Sequence, residues 1–280
     1  MRTSTLKHLV FLTVLWIALR PAVAAELAIP GAGPPTQLIQ ALAAEFNRRS
    51  GSQRIEVPPA VGTFGALEAA RKPGGLARLP RQLSAQEQRS GLRQIVVARE
   101  AIVFATGADV SVADVSRAQL AAIFSGGIAD WRELGGKPGP IRPFYRHDSA
   151  DSLRIIRARL PEFAGLEFGR NARLLNMDRE VIEQLQRFGW GVGWGSAGNV
   201  RAAKGLRILA LDGVVPSAHA LRSGLYPLDY ETVLVHNGSL TGTAAEFVAF
   251  VASPEGRAAV EAFGALPAAA PSSDPMPPKK

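Results

Sequence analysis

An α/β fold built on a mostly parallel sheet is what the sequence predicts. Short β-branched runs alternate with segments of helical period along most of the chain. About 255 residues follow an N-terminal leader, enough for one large domain or two lobes with a real core. The chain has no cysteine, so neither disulfides nor thiolate metal ligands are available to it.

The leader reads as a secretory signal spanning residues 1–24. Arg2 and Lys7 precede an apolar run at residues 9–19 (LVFLTVLWIAL), broken only by Thr13. Small residues at Ala22 and Ala24 then suit a signal peptidase cutting after Ala24 or Ala25. The run is too short to span a bilayer, which takes ~20 apolar residues. With no lipid-attachment cysteine, the expectation is a free periplasmic protein.

The formal charge is +8, and three basic residues of the leader leave about +5 on the mature chain. Nearly all the basic residues are arginine; lysine occurs six times. Such a field draws anions toward a protein, although a basic surface with no special partner fits the composition equally. The arginines are scattered among acids without interleaved aromatics, which argues against nucleic acid as a partner.

The elements follow in order. Residues 26–30 (ELAIP) form a strand, and 31–35 (GAGPP) a tight turn. Residues 36–49 place Leu38, Ile39, Leu42, Ala43 and Phe46 on one helical face. A second strand covers 54–57, and 62–70 enters a helix. Residues 72–82, with two prolines and two glycines, read as irregular. A long strand at 94–106 (QIVVAREAIVFAT) precedes a helix at 114–124 and a strand at 141–145. Helices are predicted at 149–160 and 179–188, with a glycine-rich strand and turn at 189–198. A late strand at 231–236 leads to closing helices at 241–252 and 254–263, divided at Ser253-Pro254. Residues 268–280 are small, Pro-rich and polar, and are expected to be disordered.

The segment 123–136 (IFSGGIADWRELGG), followed by a strand ending at Arg146, resembles the central signature of PstS-like phosphate-binding proteins. Ile123, Phe124, Gly126, Ile128, Trp131, Leu134 and Gly135 fall in place. GAG at 31–33, GTFGAL at 62–67, LSAQE at 83–87, GVGWGS at 191–196 and the closing stretch 247–267 are similar to family segments in the same order. The resemblance implies a two-lobed periplasmic-binding-protein fold (type II). Each lobe would be a mainly parallel sheet flanked by helices, with a ligand cleft between the lobes. Lobe 1 would comprise residues 25–105 and 199–267, and lobe 2 residues 106–198.

The same resemblance places ligand-binding residues on four loops. Thr36 stands one place after the position of the family's usual hydroxyl, which Pro35 occupies; it either meets the ligand or caps the first helix. Thr63 matches a ligand-binding serine, with capping as the alternative. The family's aspartate, which accepts a hydrogen bond from protonated phosphate, has no counterpart at Leu79-Pro80; Arg78 and Arg81 flank that place. The last loop, RHDSADS at 146–152, retains Arg146 as a guanidinium able to grip two oxygens. It also carries Ser149, Asp151 and Ser152 as candidates. Asp151 stands where the family has glycine and would repel an anion unless an arginine pairs with it. Asp148-Ser149-x-Asp151 reads equally as a helix N-cap followed by an acid in the first turn.

The function implied is capture of a small anion, phosphate or a relative, by a monomer that delivers it to a membrane ABC permease. A ligand-sensing or accessory role, for example with a sensor kinase, is the alternative, and a periplasmic hydrolase a more remote one. No cofactor or metal is implied: His8, His147, His219 and His236 lie at no metal-ligand spacing. His147-Asp148-Ser149 has the residue types of a catalytic triad, but chain neighbours point in different directions. The glycines at 189, 191, 193 and 195 lack the strand-to-helix context and lysine of a nucleotide loop. Trp190 and Trp194 beside them are expected in the core or the cleft wall.

Overall fold

The computed structural model describes residues 25–269, apart from Ser52 and Ser239. The expected signal and all but the first two residues of the expected tail lie outside the described residues.

The chain begins with β1 (Ala25–Ala28), α1 (Thr36–Arg49), β2 (Gln53–Glu56), α2 (Gly62–Arg71), β3 (Leu76–Leu79), α3 (Ala85–Arg89) and the long β4 (Arg93–Thr106). Next come β5 (Asp114–Val115), α4 (Arg117–Ser125), β6 (Arg142–Arg146), α5 (Asp151–Arg159), β7 (Arg173–Leu175) and α6 (Asp178–Arg187). They are followed by β8 (Gly191–Ser196), α7 (Ala197–Ala202), β9 (Arg207–Ile208), β10 (Ala210–Leu211) and α8 (Ala218–Arg222). The chain closes with β11 (Asp229–His236), α9 (Gly242–Ala252), α10 (Pro254–Phe263) and β12 (Leu266–Pro267).

The helix α1 buries the five residues its spacing selects: Leu38, Ile39, Leu42, Ala43 and Phe46. Two local signals shifted other elements. Residues 114 and 115 pair with β10 as a strand, and the helix starts later because Ser116 and Gln119 close a capping box. Within the stretch expected to be irregular lies β3, four residues long and wholly buried. The flanking prolines and glycines mask it, and so does its arginine.

The main sheet has eight strands and is mixed, in the order β3-β11-β4-β8-β6-β7, with β9 and β12 also pairing with β4. The parallel pairings are β6 with β7 and β8, together with the separate pairs β1-β2 and β5-β10. The antiparallel character enters through β4 and β11, which run side by side from Arg93 to Ala101. Beyond that point β4 pairs with β8 from Ile102 to Thr106.

The hydrophobic core divides where β4 changes partner. One cluster gathers Ile29, Leu38, Ile39, Leu76, Val97, Ala98, Leu234 and Phe247, and a smaller cluster around Ala77, Leu79, Val233 and Val235 joins it through β3 and β11. The other cluster runs from Ala101 to Tyr230 and is centred on Phe104, Phe124, Trp131 and Trp194. Residues 199–228, expected with the first lobe, supply Val200, Leu209, Leu211, Leu221 and Tyr226 to this second cluster. Trp131 and Trp194 are fully enclosed; each such side chain contributes roughly 1.5–3 kcal/mol through burial.

Candidate functional site

A cavity of about 570 Å³ lies between the two core clusters. Thr36, Thr63, Arg146, Ser149, Asp151 and Ser152 all line it. Helices α1 and α2 begin on one wall, and α5 and α6 on the other, so several N-terminal ends face one space. Such ends present N–H groups without intrahelical partners and the positive end of the helix dipole.

On the first wall, Pro35 holds the N-cap position of α1 and Val61 that of α2, neither with a side-chain cap. Thr36 and Thr63 are therefore not the caps that the alternative reading allowed. The Thr36 hydroxyl accepts a hydrogen bond from Arg78 Nη2 at 3.1 Å. Arg78 is fully buried and also donates to the carbonyls of Ile29 and of Pro58, the latter at 2.9 Å. Burial lowers its pKa to about 10, so it remains a cation at neutral pH. Gly31 makes this arrangement possible: an added Cβ would stand 2.2 Å from the Arg78 carbonyl oxygen. Arg81 forms a two-bond pair with Glu87, both contacts at 2.8 Å, and reaches across the cavity to Asp151 at 3.9 Å.

On the second wall, β6 ends at Arg146, whose residue is 7% exposed. Its Nε and Nη1 have no hydrogen-bond partner. The nearest acid is Asp178 at the start of α6, with Oδ1 3.6 Å from Nη1. That is an ion pair without a hydrogen bond. Asp151, expected to need an arginine partner, pairs with Arg154 and Arg81. Ser152 is buried, and its hydroxyl accepts from Trp194 Nε1 at 3.1 Å, leaving its own proton for another acceptor.

The loop between them corrects two expectations. Ala150, not Asp148 or Ser149, occupies the N-cap position of α5. Ser149 Oγ lies 2.5 Å from His147 Nδ1, so two of the three triad residue types do meet despite their closeness in sequence. The carboxylate of Asp148 turns away to Arg157 at 2.9 Å, so it does not orient the imidazole as the acid of a triad would. Trp190 packs beside Gly139 and takes the Trp131 indole N–H on its carbonyl at 3.0 Å.

Sequence reasoning missed Asp178, Asn176, Gln37 and Asn199, which also line the cavity. Burial pushes the Asp178 carboxyl above its ordinary range against the pull of Arg146, and the neighbouring Asp151 adds to the upward shift. An acid in the first turn of an amphipathic helix ordinarily signals only a favourable dipole contact. Nothing in the local sequence sets this one apart.

Chemically, the wall offers a buried guanidinium, a neighbouring acid, hydroxyls and converging helix starts. That combination suits a small oxyanion. The chain is 22% identical over 248 residues to a phosphate-binding protein PstS of Borreliella burgdorferi, covering 86% of this chain and 89% of that protein. It is 26% identical over 235 residues to a phosphate-binding protein PstS of Bacillus subtilis, covering 82% and 76%. A solved structure from Clostridium perfringens, assigned to phosphate ABC transport and carrying bound phosphate, superposes with a TM-score of 0.73 at 20% identity. That match covers 87% of this chain and all of the other; at such identity it shows the two-lobed fold. The model of the PBP superfamily domain matches residues 18–255, and the chain belongs to that superfamily.

Proposed function

We propose that the mature chain is an exported, monomeric solute-binding protein that captures a small oxyanion, phosphate or a relative, for an ABC permease. The observation that carries this reading is Arg146. A guanidinium this buried beside the cavity, with no hydrogen bond on Nε or Nη1 and only a 3.6 Å ion pair to Asp178, is costly unless a guest completes it. Ser149 and Ser152 flank it, and Thr36 and Thr63 stand on the facing wall with the starts of α1 and α2. The relatives named as phosphate-binding proteins support phosphate as the first guest to try.

A transport role fits the constellation better than catalysis, because Asp148, the acid beside the His147–Ser149 pair in sequence, is held by Arg157. Esterase and phosphatase assays on the pure protein are expected to show no turnover.

Isothermal titration of the mature protein with phosphate at neutral pH tests the reading. Binding is expected in the micromolar range or tighter, and Arg146→Ala is expected to weaken it by at least a hundredfold, the loss of a charged bidentate contact. Absence of heat up to millimolar phosphate would remove the anion reading. Retained affinity in Arg146→Ala would mean that the guest binds elsewhere.

A further inference from the structure

The Tyr230 hydroxyl has one proton and two acceptors near it. It donates to the Pro34 carbonyl at 2.9 Å. Pro34 and Pro35 bring no N–H to the fold, so the loop that opens α1 is fastened partly through its carbonyls. Directly across the ladder from Tyr230 stands Glu100 on β4, 2% exposed. The Thr232 hydroxyl donates to its Oε1 at 2.8 Å, and its Oε2 has no hydrogen-bond partner. Gly198 closes in on that oxygen from α7, where an added Cβ would lie 3.3 Å from Oε2. The pair sits at a crossover, since β4 pairs with β11 up to Ala101 and with β8 from Ile102.

The charge on Glu100 decides where the tyrosine proton goes. A neutral carboxyl has an O–H of its own to give, and Tyr230 can accept it while donating to Pro34. An ionised carboxylate only accepts, and a bond to it is stronger than one to a neutral carbonyl. A buried anion with one oxygen unpaired therefore draws the phenol proton away from Pro34.

We propose that Glu100 is a protonation switch for the first wall: its neutral form leaves the Tyr230 proton to Pro34, and its anion takes that proton and frees the loop that leads into Thr36. The switch stands on this geometry, and its effect on ligand affinity rests on the anion-capture reading above. Tyr230 on β11 and Arg201 on α7 are the titratable and charged groups that face Glu100, and Asp178 on α6 acts on Tyr230. Burial raises the Glu100 pKa to about 7, so the neutral form prevails below neutrality and the anion above it.

Titration calorimetry with phosphate from pH 5.5 to 8.5, on the mature wild type and on Glu100→Gln, tests it. Glutamine keeps a donor and an acceptor and never ionises. Phosphate titrates in the same range, so the two proteins are compared at each pH. The wild type is expected to match the variant at pH 5.5 and to bind about tenfold more weakly at pH 8.5, the share of one hydrogen bond. In a Tyr230→Phe background, where no proton is shared, Glu100→Gln is expected to leave no pH-dependent difference. Hydrogen exchange of residues 31–38, corrected for intrinsic rates, reads the switch without a ligand. Protection is expected to fall with rising pH in the wild type and to hold in Glu100→Gln, with a thermal melt of each protein confirming that it is folded. A ratio of affinities that stays constant across the range, or one that still varies with pH once the Tyr230 hydroxyl is gone, overturns the proposal. Wild-type protection that does not change with pH overturns it as well, even if a variant fails to fold. A wild type that binds no phosphate overturns the anion reading, and the exchange comparison then decides the switch by itself.

Discussion

Glu100 lies midway along β4, 2% exposed, directly opposite Tyr230 on β11. Its carboxylate accepts from the Thr232 hydroxyl at 2.8 Å, while Oε2 is left without a hydrogen bond. Burial pushes its pKa up to about 7, against the pull of the Tyr230 and Thr232 hydroxyls and of Arg201. An acid with a raised folded-state pKa takes up a proton on folding between its unfolded and folded values. Its contribution is full below about 4.5 and lost as the pH rises through 7. Each pKa unit corresponds to about 1.4 kcal/mol, so the whole effect is on the order of 3 kcal/mol. Glu100→Gln is therefore expected to flatten the fall in stability between pH 4.5 and 7.5 relative to the wild type. Urea unfolding across that range measures it, and parallel curves for the two proteins would refute the assignment. The Tyr230 hydroxyl donates to the Pro34 carbonyl at 2.9 Å, so the strand residue opposite this buried acid is tied to a loop of the cavity wall.

At the scale of elements, β3 organises the first wall. Arg78 joins three segments that lie 49, 42 and 20 residues away along the chain, at Ile29, Thr36 and Pro58. Arg78→Met keeps the bulk but withdraws the donors, leaving the Ile29 and Pro58 carbonyls without this partner. Relief of a buried charge offsets part of the cost, and a net loss on the order of 3 kcal/mol is expected in urea unfolding. Stability within 0.5 kcal/mol of the wild type would show that these bonds contribute little. Long periodic elements were legible in the sequence, because α1, β4, α9 and α10 each carry enough apolar residues at one spacing to declare a face. By contrast β3, β9, β10 and α8 have two to five residues each and take their form from neighbours. The site divides similarly. Arg146 was visible because a signature segment leads to a strand that ends on it. Asp178 and the anchoring role of Arg78 depend on contacts between distant segments, which no local pattern encodes.

At the scale of the whole molecule, the two walls belong to two cores, and β4 and β11 pass from one to the other. Few links cross the cavity: Arg81 reaches Asp151 at 3.9 Å, and Gly33 lies against Asp178. A water occupies roughly 30 Å³ of liquid, so a tetrahedral oxyanion of five heavy atoms fills on the order of 100 Å³, far less than the 570 Å³ of the cavity. If Arg146 holds the anion as proposed, drawing the halves together about these two strands would bring Thr36 and Thr63 onto it. A ligand shifts such an equilibrium only through contacts that exist in the closed state, and here those are the first-wall hydroxyls and helix starts. Small-angle scattering of the mature protein should then show a radius of gyration falling measurably from about 18 Å on saturation with phosphate. Arg146→Ala should show no such fall at the same concentration, since it cannot hold the anion for the first wall to meet. Phosphate binding by calorimetry with an unchanged radius would dispose of closure while leaving capture intact, and would mean that Arg146 and the second wall hold the anion in a cleft that stays open.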